Sequence, residues 1–295
     1  MKTPKFFIWL SAARPQTLAA SVVPVVVGAS LAWADQQFRW DTTLVALFCA
    51  VLIQIGTNFA NDYYDFIKGA DTPERIGFKR ATASGLITPN AMFTATWLTM
   101  AVAFFAGLYL VWIGGWVILL IGILSLLFGI LYTGGPYPLG YNGLGDLFVF
   151  IFFGFAAVMG TYYVNALEWS WISFWASIPV GALCVNILVV NNLRDVNQDK
   201  ISGKKTLGVL FGEPVLMIEY TILIFISFIV PLVFYEFYHL NGWIFLPFLA
   251  LPAAWILLKQ IWQHDDKRTL NATLERTAQF MVLYGFLFSA GILLS

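Results

Sequence analysis

Thr42-Thr-Leu-Val-Ala-Leu-Phe-Cys-Ala-Val-Leu-Ile-Gln-Ile-Gly-Thr-Asn58-Phe-Ala-Asn61-Asp62-Tyr-Tyr-Asp65 is an uncharged, mostly apolar run that ends in an acidic segment. Residues 42–63 have the length of a helix that crosses a bilayer, about 20 residues. A carboxylate at the end of such a helix is expensive. A second segment repeats the pattern, because Asn191-Asn-Leu-Arg-Asp195-Val-Asn-Gln-Asp199 closes the apolar run 171–192. Both contain Asn-x-x-x-Asp with a further carboxylate about one helical turn later. With Asp71, just beyond the first segment, they hold five of the chain's 16 acidic residues.

Working outward, 60% of the 295 residues are hydrophobic and 11% charged, and the mean hydropathy is +0.79. Soluble domains carry about 25% charged residues, so the chain is a polytopic membrane protein. Apolar runs near 17–34, 42–63, 91–112, 116–133, 145–165, 171–192, 214–235, 242–262 and 277–294 predict about nine spans. The spans are helical, because lipid offers no partner to open backbone groups and the alternating pattern of a membrane barrel is absent. The fold class is an all-α membrane bundle, with residues 1–295 read as one domain. Trp9 and its apolar neighbours suit an interfacial helix, and the first span has no cleavable-signal pattern before it.

Charge sets the orientation. With the N-terminus cytoplasmic, 15 of the 16 basic residues fall on the inner side and only Arg39 on the outer, the positive-inside pattern. The net charge of zero therefore hides a strong polarity, which excludes a nucleic-acid partner. Cys49 and Cys184 both lie within spans and form neither a disulfide framework nor a metal cluster. The long inner connections 66–90, 134–143 and 196–213 place the function on the cytoplasmic side. Asp62 and Asp195 stand 133 residues apart. Four spans between equivalent positions keep the same orientation, which makes two parallel halves facing one cavity.

On a helix, Asn58, Asn61, Asp62 and Asp65 share a face, as do Asn191, Asp195 and Asp199. Each helix presents a column of oxygen ligands whose mutual repulsion calls for a cation. Mg²⁺ fits, since it takes carboxylate oxygens, keeps waters and bridges phosphates. Arg75, Lys79, Arg80, Lys204 and Lys205 follow the acidic segments and suit the phosphate oxygens that a metal leaves free. A transporter also uses intramembrane carboxylates, but it predicts them near the bilayer midplane. Spans 91–133 and 214–262 carry almost none there, and the acidic clusters sit at one face.

Three segments carry a resemblance: Asn58 to Asp71, Tyr132-Thr-Gly-Gly-Pro-Tyr-Pro-Leu-Gly-Tyr-Asn-Gly-Leu-Gly-Asp146, and Asn191 to Thr206. In order and topology they resemble the UbiA superfamily of intramembrane prenyltransferases, and within it the branch that acts on 1,4-dihydroxy-2-naphthoate. Asp71 falls six residues after Asp65, and Pro136-Tyr137-Pro138 stands where some relatives carry a lysine; both departures favour that branch over the one acting on 4-hydroxybenzoate, which remains the alternative. The resemblance implies nine helices around a central cavity open to lipid, in a bacterial inner membrane with the site toward the cytoplasm. It implies that Asp62, Asp65, Asp71, Asp195 and Asp199 hold Mg²⁺ on the diphosphate of a polyprenyl donor, assisted by Asn58 and Asn191. Prenyl transfer to the aromatic acceptor with loss of CO₂ would give demethylmenaquinone. Tyr132 is placed against the acceptor ring, and Tyr137 and Tyr141 suit an interfacial belt. Asp146 reads as a helix cap.

Overall fold

The computed structural model describes residues 4–71, 76–78 and 80–295, so Arg75 and Lys79 lie outside the described residues. The described chain is helical, with no strand among these residues. A short helix α1 (Lys5–Ala13) is followed by α2 (Ala19–Ala34), bent from the preceding helical stretch by 52°. The break is at Leu18, while Arg14, with a left-handed φ of 53° before Pro15, ends α1 within the first stretch. A helix does form around Trp9, namely α1.

The long helices are α3 (Trp40–Ile67), α4 (Pro89–Leu131), α5 (Gly145–Ala166), α6 (Trp171–Ile201), α7 (Glu213–Tyr238), α8 (Gly242–Trp262) and α9 (Lys267–Leu294). These seven, with the bent pair, are long and apolar enough to cross a membrane. Helix α4 is two spans. A straight helix of its 43 residues would be about 65 Å long, twice the hydrocarbon thickness. Gly115 breaks it at φ 69°, ψ −156°, a conformation that only glycine adopts readily. The limbs fold back on each other: a Cβ built at Gly129 would lie 3.5 Å from the Met100 methyl group. Counted this way the described residues hold the nine spans that the apolar runs predict, and the chain is a multi-pass membrane protein.

Burial orders the bundle. The apolar window of α6 is 72% buried and that of α4 only 17%, so α6 is central and the α4 hairpin faces lipid. Trp112 and Trp116 flank its tip, both largely exposed, as aromatic anchors do at a membrane interface. Around α6 the apolar core is drawn from α2, α7, α8 and α9, with Val27, Leu183, Tyr220 and Phe288 fully buried or nearly so. The middle of α5, Phe150–Met159, is π-helical, a widening often seen at functional sites.

Close backbone approach fixes where α2 crosses α5. A Cβ at Gly28 would fall 2.4 Å from the Val158 carbonyl oxygen and 2.9 Å from Thr161 Cβ, so only a bare backbone fits. Gly28→Ala is expected to destabilise the protein by about 1–3 kcal/mol, read as a lower thermal midpoint in detergent. An unchanged midpoint would show that this crossing relaxes freely.

Candidate functional site

Both acidic segments are the last turns of long helices, since α3 runs to Ile67 and α6 to Ile201. A helix C-terminus carries partial negative charge, so carboxylates there lack the compensation that an N-terminus gives. The structure supplies it with cations. Asp65 is 1% exposed, and its Oδ2 accepts from Arg80 Nη2 at 2.7 Å. Its Oδ1 accepts from the Tyr141 hydroxyl at 2.6 Å. Lys204 Nζ lies 3.7 Å from Asp65 and 3.5 Å from Asp199, joining the two segments that the sequence holds far apart. Asp195 takes a two-pronged bond from Arg194, with Nε and Nη2 each at 2.7 Å. The same guanidinium donates to Asn191 Oδ1 at 2.6 Å and Asn271 Oδ1 at 3.0 Å.

The flanking amides have distinct tasks. Asn58 donates to the Ala13 carbonyl at 2.9 Å and to Thr17 Oγ1 at 3.0 Å, tying α3 to the turn before α2. Asn61 Oδ1 accepts from Thr133 Oγ1 at 2.8 Å. Asp62, expected to line the metal site, has other partners: Oδ2 accepts from the Ala81 amide at 3.0 Å and Oδ1 from the Thr82 amide at 2.9 Å.

Between the helix ends lies a polar cavity of about 220 Å³. Asn58, Asn61, Asp65, Arg80, Asn191, Asp195, Asp199 and Lys204 line it, and Asp62 is not among its lining residues. Arg80 is 8% exposed, yet its Nε and Nη1 have no hydrogen-bond partner among the described residues; Asp71 is 3.6 Å from Nε. Buried guanidinium protons without acceptors are costly, and Arg80 lines the cavity with Nη1 unengaged among the described residues. A second cavity of about 220 Å³, with an almost wholly apolar lining, adjoins the first. Gln54, Thr57, Tyr132, Val149 and Phe153 line both. Tyr132 therefore stands where the charged chamber meets the apolar one.

Of the expected phosphate ligands, Lys205 is exposed, and its backbone amide donates to the Tyr141 carbonyl at 2.7 Å. Among the described residues no three acidic, histidine or cysteine side chains form a ready-made metal cluster; the carboxylates are spaced apart by cations.

Lys68 is not among the site residues expected from the sequence, and Tyr141 is expected there chiefly as an interfacial residue. The ring of Tyr141 meets both Lys204 and Lys68, its centroid 4.7 and 4.9 Å from the two ammonium nitrogens, at cation–π distance. Lys68 also donates to the Thr133 carbonyl at 2.7 Å. Burial pushes the Tyr141 phenol well up, and the charge of Asp65 and their hydrogen bond push the same way, so the hydroxyl stays a donor. Burial pulls the Lys68 ammonium down, against the opposing charge of Asp65. Burial also raises the Tyr132 phenol, with Asp146, Asp199 and Asp65 adding to it.

Residues 21–286 match the UbiA prenyltransferase family. The chain is 37% identical to the 1,4-dihydroxy-2-naphthoate octaprenyltransferase of Escherichia coli K12, over 97% of this chain and 95% of that protein. To the Bacillus subtilis 168 protein of the same name it is 33% identical, over 96% of this chain and 91% of that protein. In fold it is similar to the apo structure of a UbiA homolog from Aeropyrum pernix K1, with a TM-score of 0.73 at 15% identity over 95% of this chain and 98% of that one. A UbiA homolog from Archaeoglobus fulgidus bound to DMAPP and Mg²⁺ matches with a TM-score of 0.67 at 14% identity, over 95% and 99%.

Tyr141→Phe removes one donor from Asp65 and leaves the ring against its lysines. A hydrogen bond to a charged group contributes about 1.5–3 kcal/mol, so kcat/KM is expected to fall at least about 10-fold. Because the phenol is raised above its ordinary value of about 10, the ratio of wild-type to variant rates is expected to be flat from about pH 6 to pH 9. Equal rates in the two proteins would show that this hydrogen bond has no role.

Proposed function

The chain belongs to the UbiA prenyltransferase family, and from that premise we propose that it transfers a polyprenyl group from polyprenyl diphosphate to 1,4-dihydroxy-2-naphthoate, with loss of CO₂ and diphosphate. The observation that carries the reading is the junction at Tyr132: a cationic and acidic chamber opens directly onto an apolar one. A diphosphate with a long hydrocarbon tail has that division of chemistry.

The donor oxygens suit a hard divalent cation, and Mg²⁺ needs only one or two carboxylates when phosphate and water complete its shell. Asp65 and Asp71 from one segment, with Asp195 and Asp199 from the other, are the residues that would hold it. Bound there, Mg²⁺ would neutralise charge on the diphosphate as it leaves. Nη1 of Arg80, without a hydrogen-bond partner among the described residues, holds a non-bridging oxygen of the diphosphate, and Lys204 holds the same group between Asp65 and Asp199. These donors are preorganised for the departing anion. As the allylic C–O bond breaks, the positive charge left on carbon faces Tyr132, whose neutral ring stabilises a cation without trapping it. The second cavity keeps the tail dry and water away from the reactive carbon. The acceptor ring attacks that carbon, and the carboxylate carbon leaves as CO₂. Its bonding electron pair restores the aromatic ring and yields demethylmenaquinol, the reduced form of demethylmenaquinone.

The positive-inside charge supports a site toward the cytoplasm, and the bacterial relatives support a bacterial inner membrane. Asp65→Asn and Asp199→Asn are each expected to lower kcat/KM by at least about 100-fold while the protein still inserts and extracts as a folded species. Competition between equimolar 1,4-dihydroxy-2-naphthoate and 4-hydroxybenzoate, with a short allylic diphosphate and Mg²⁺, tests the acceptor. A prenylated product lacking the naphthoate carboxylate mass is expected. Prenylated hydroxybenzoate would contradict the acceptor, and intact diphosphate would contradict the reaction.

A further inference from the structure

Asp62 has the sequence pattern of a metal ligand and the contacts of a loop anchor. A helix turns about 100° per residue, so Asn61, Asp65, Asn58 and Asp62 fan across an arc of about 100° in that order. Asp65 lies near the middle of the arc, facing the cavity, while Asn61 and Asp62 are its flanks. The Asn61 flank meets Thr133. The Asp62 flank meets the inner segment that follows α3, where its two oxygens accept the consecutive amides of Ala81 and Thr82. The side chain is 2% exposed and both amides belong to buried residues. Swinging Asp62 onto a metal would strip two buried backbone N–H groups of their acceptor, which costs free energy.

The residue immediately before the anchored pair is Arg80, whose guanidinium reaches into the cavity. The other end of the segment is held from the opposite half of the protein. Asn271 Nδ2 donates to the Ile76 carbonyl at 3.2 Å, and the Arg194 guanidinium lies 5.9 Å from the Phe78 ring centroid. Gly77 leaves room for that guanidinium, since a Cβ there would lie 2.6 Å from Arg194 Nη2.

We propose that Asp62 is a positioning residue: it caps the Ala81 and Thr82 amides, thereby fixes Arg80 in the cavity, and does not ligate the metal. The identity of what Arg80 grips rests on the prenyl diphosphate reading above; the anchor itself does not.

The test is backbone amide hydrogen exchange at single-residue resolution on the full chain in nanodiscs, alone and with Mg²⁺ plus geranyl S-thiolodiphosphate, an unreactive analogue. Without ligand, the Ala81 and Thr82 amides are expected to be protected in the wild type and to exchange at least about tenfold faster in Asp62→Asn. In the wild type they are expected to stay protected when Mg²⁺ and the analogue bind. Deprotection on binding would overturn the proposal, because Asp62 would then have left them for the metal. In turnover, Asp62→Asn is expected to raise KM for the prenyl diphosphate at least about tenfold and to leave the Mg²⁺ concentration for half-maximal rate within about twofold. On an Arg80→Ala background the same change is expected to cost less than about twofold. A Mg²⁺ requirement raised as far as in Asp65→Asn, with additive losses, would overturn it as well. Should Asp62→Asn fail to insert, the wild-type exchange experiment decides alone. A wild type that neither responds to Mg²⁺ and analogue nor turns over would defeat the prenyl diphosphate reading, while the ligand-free comparison would still judge the anchor.

Discussion

Carboxylates at the negative ends of two membrane helices are the constraint on which the rest of this structure depends. Asp65 and Asp199 sit where the helix dipoles already concentrate negative charge and where burial removes water. Left alone they would repel each other. Lys204 between them, Arg80 on Asp65 and Arg194 on Asp195 keep the anions in place. Of those three cations only Arg194 comes from one of the helix ends themselves. Arg80 and Lys204 lie on the inner connections after α3 and α6, so the connections have to be fixed for the site to exist.

That requirement explains the hydrogen bonds around the cavity. Gln198 donates to the Ala70 carbonyl at 3.2 Å and the Lys205 amide to the Tyr141 carbonyl at 2.7 Å, lacing three inner connections together. The ring of Tyr141 against two ammonium groups, with its hydroxyl on Asp65, links cation and anion through one side chain. Toward the membrane interior the needs reverse. Glycines such as Gly28 let helices approach closely enough to exclude lipid from the core, and the apolar chamber is lined on one side by the α4 hairpin.

The spans were legible because each is a long apolar run, and even the turn inside the 43-residue helix was visible as Gly114-Gly115 between two runs. The inner face of the site was legible from the repeated Asn-x-x-x-Asp spacing. Spacing could not separate Asp62 from Asp65, because both lie on the same broad face and differ only in which neighbour the flank meets. Their partners, the Ala81 and Thr82 amides for one and Arg80 with Tyr141 for the other, are set by tertiary packing. Tyr141 was hidden for a related reason: a tyrosine in an inner connection has the composition of an interfacial belt, and only the fold places it on Asp65. Arg194 did leave a signal, a charge one residue before a carboxylate at the end of an apolar helix, although its reach to Asn271 came from the last span.

The central claim is that the two helix ends and their cations form one site for a diphosphate with its metal. Equilibrium binding of radiolabelled geranyl S-thiolodiphosphate to the purified protein, titrated with Mg²⁺ and then with EDTA, tests it most directly. Saturable binding that requires Mg²⁺, is reversed by EDTA and is displaced by inorganic diphosphate is the result predicted. Binding of equal affinity with and without the metal, undisturbed by diphosphate, would contradict it and leave only a hydrophobic pocket.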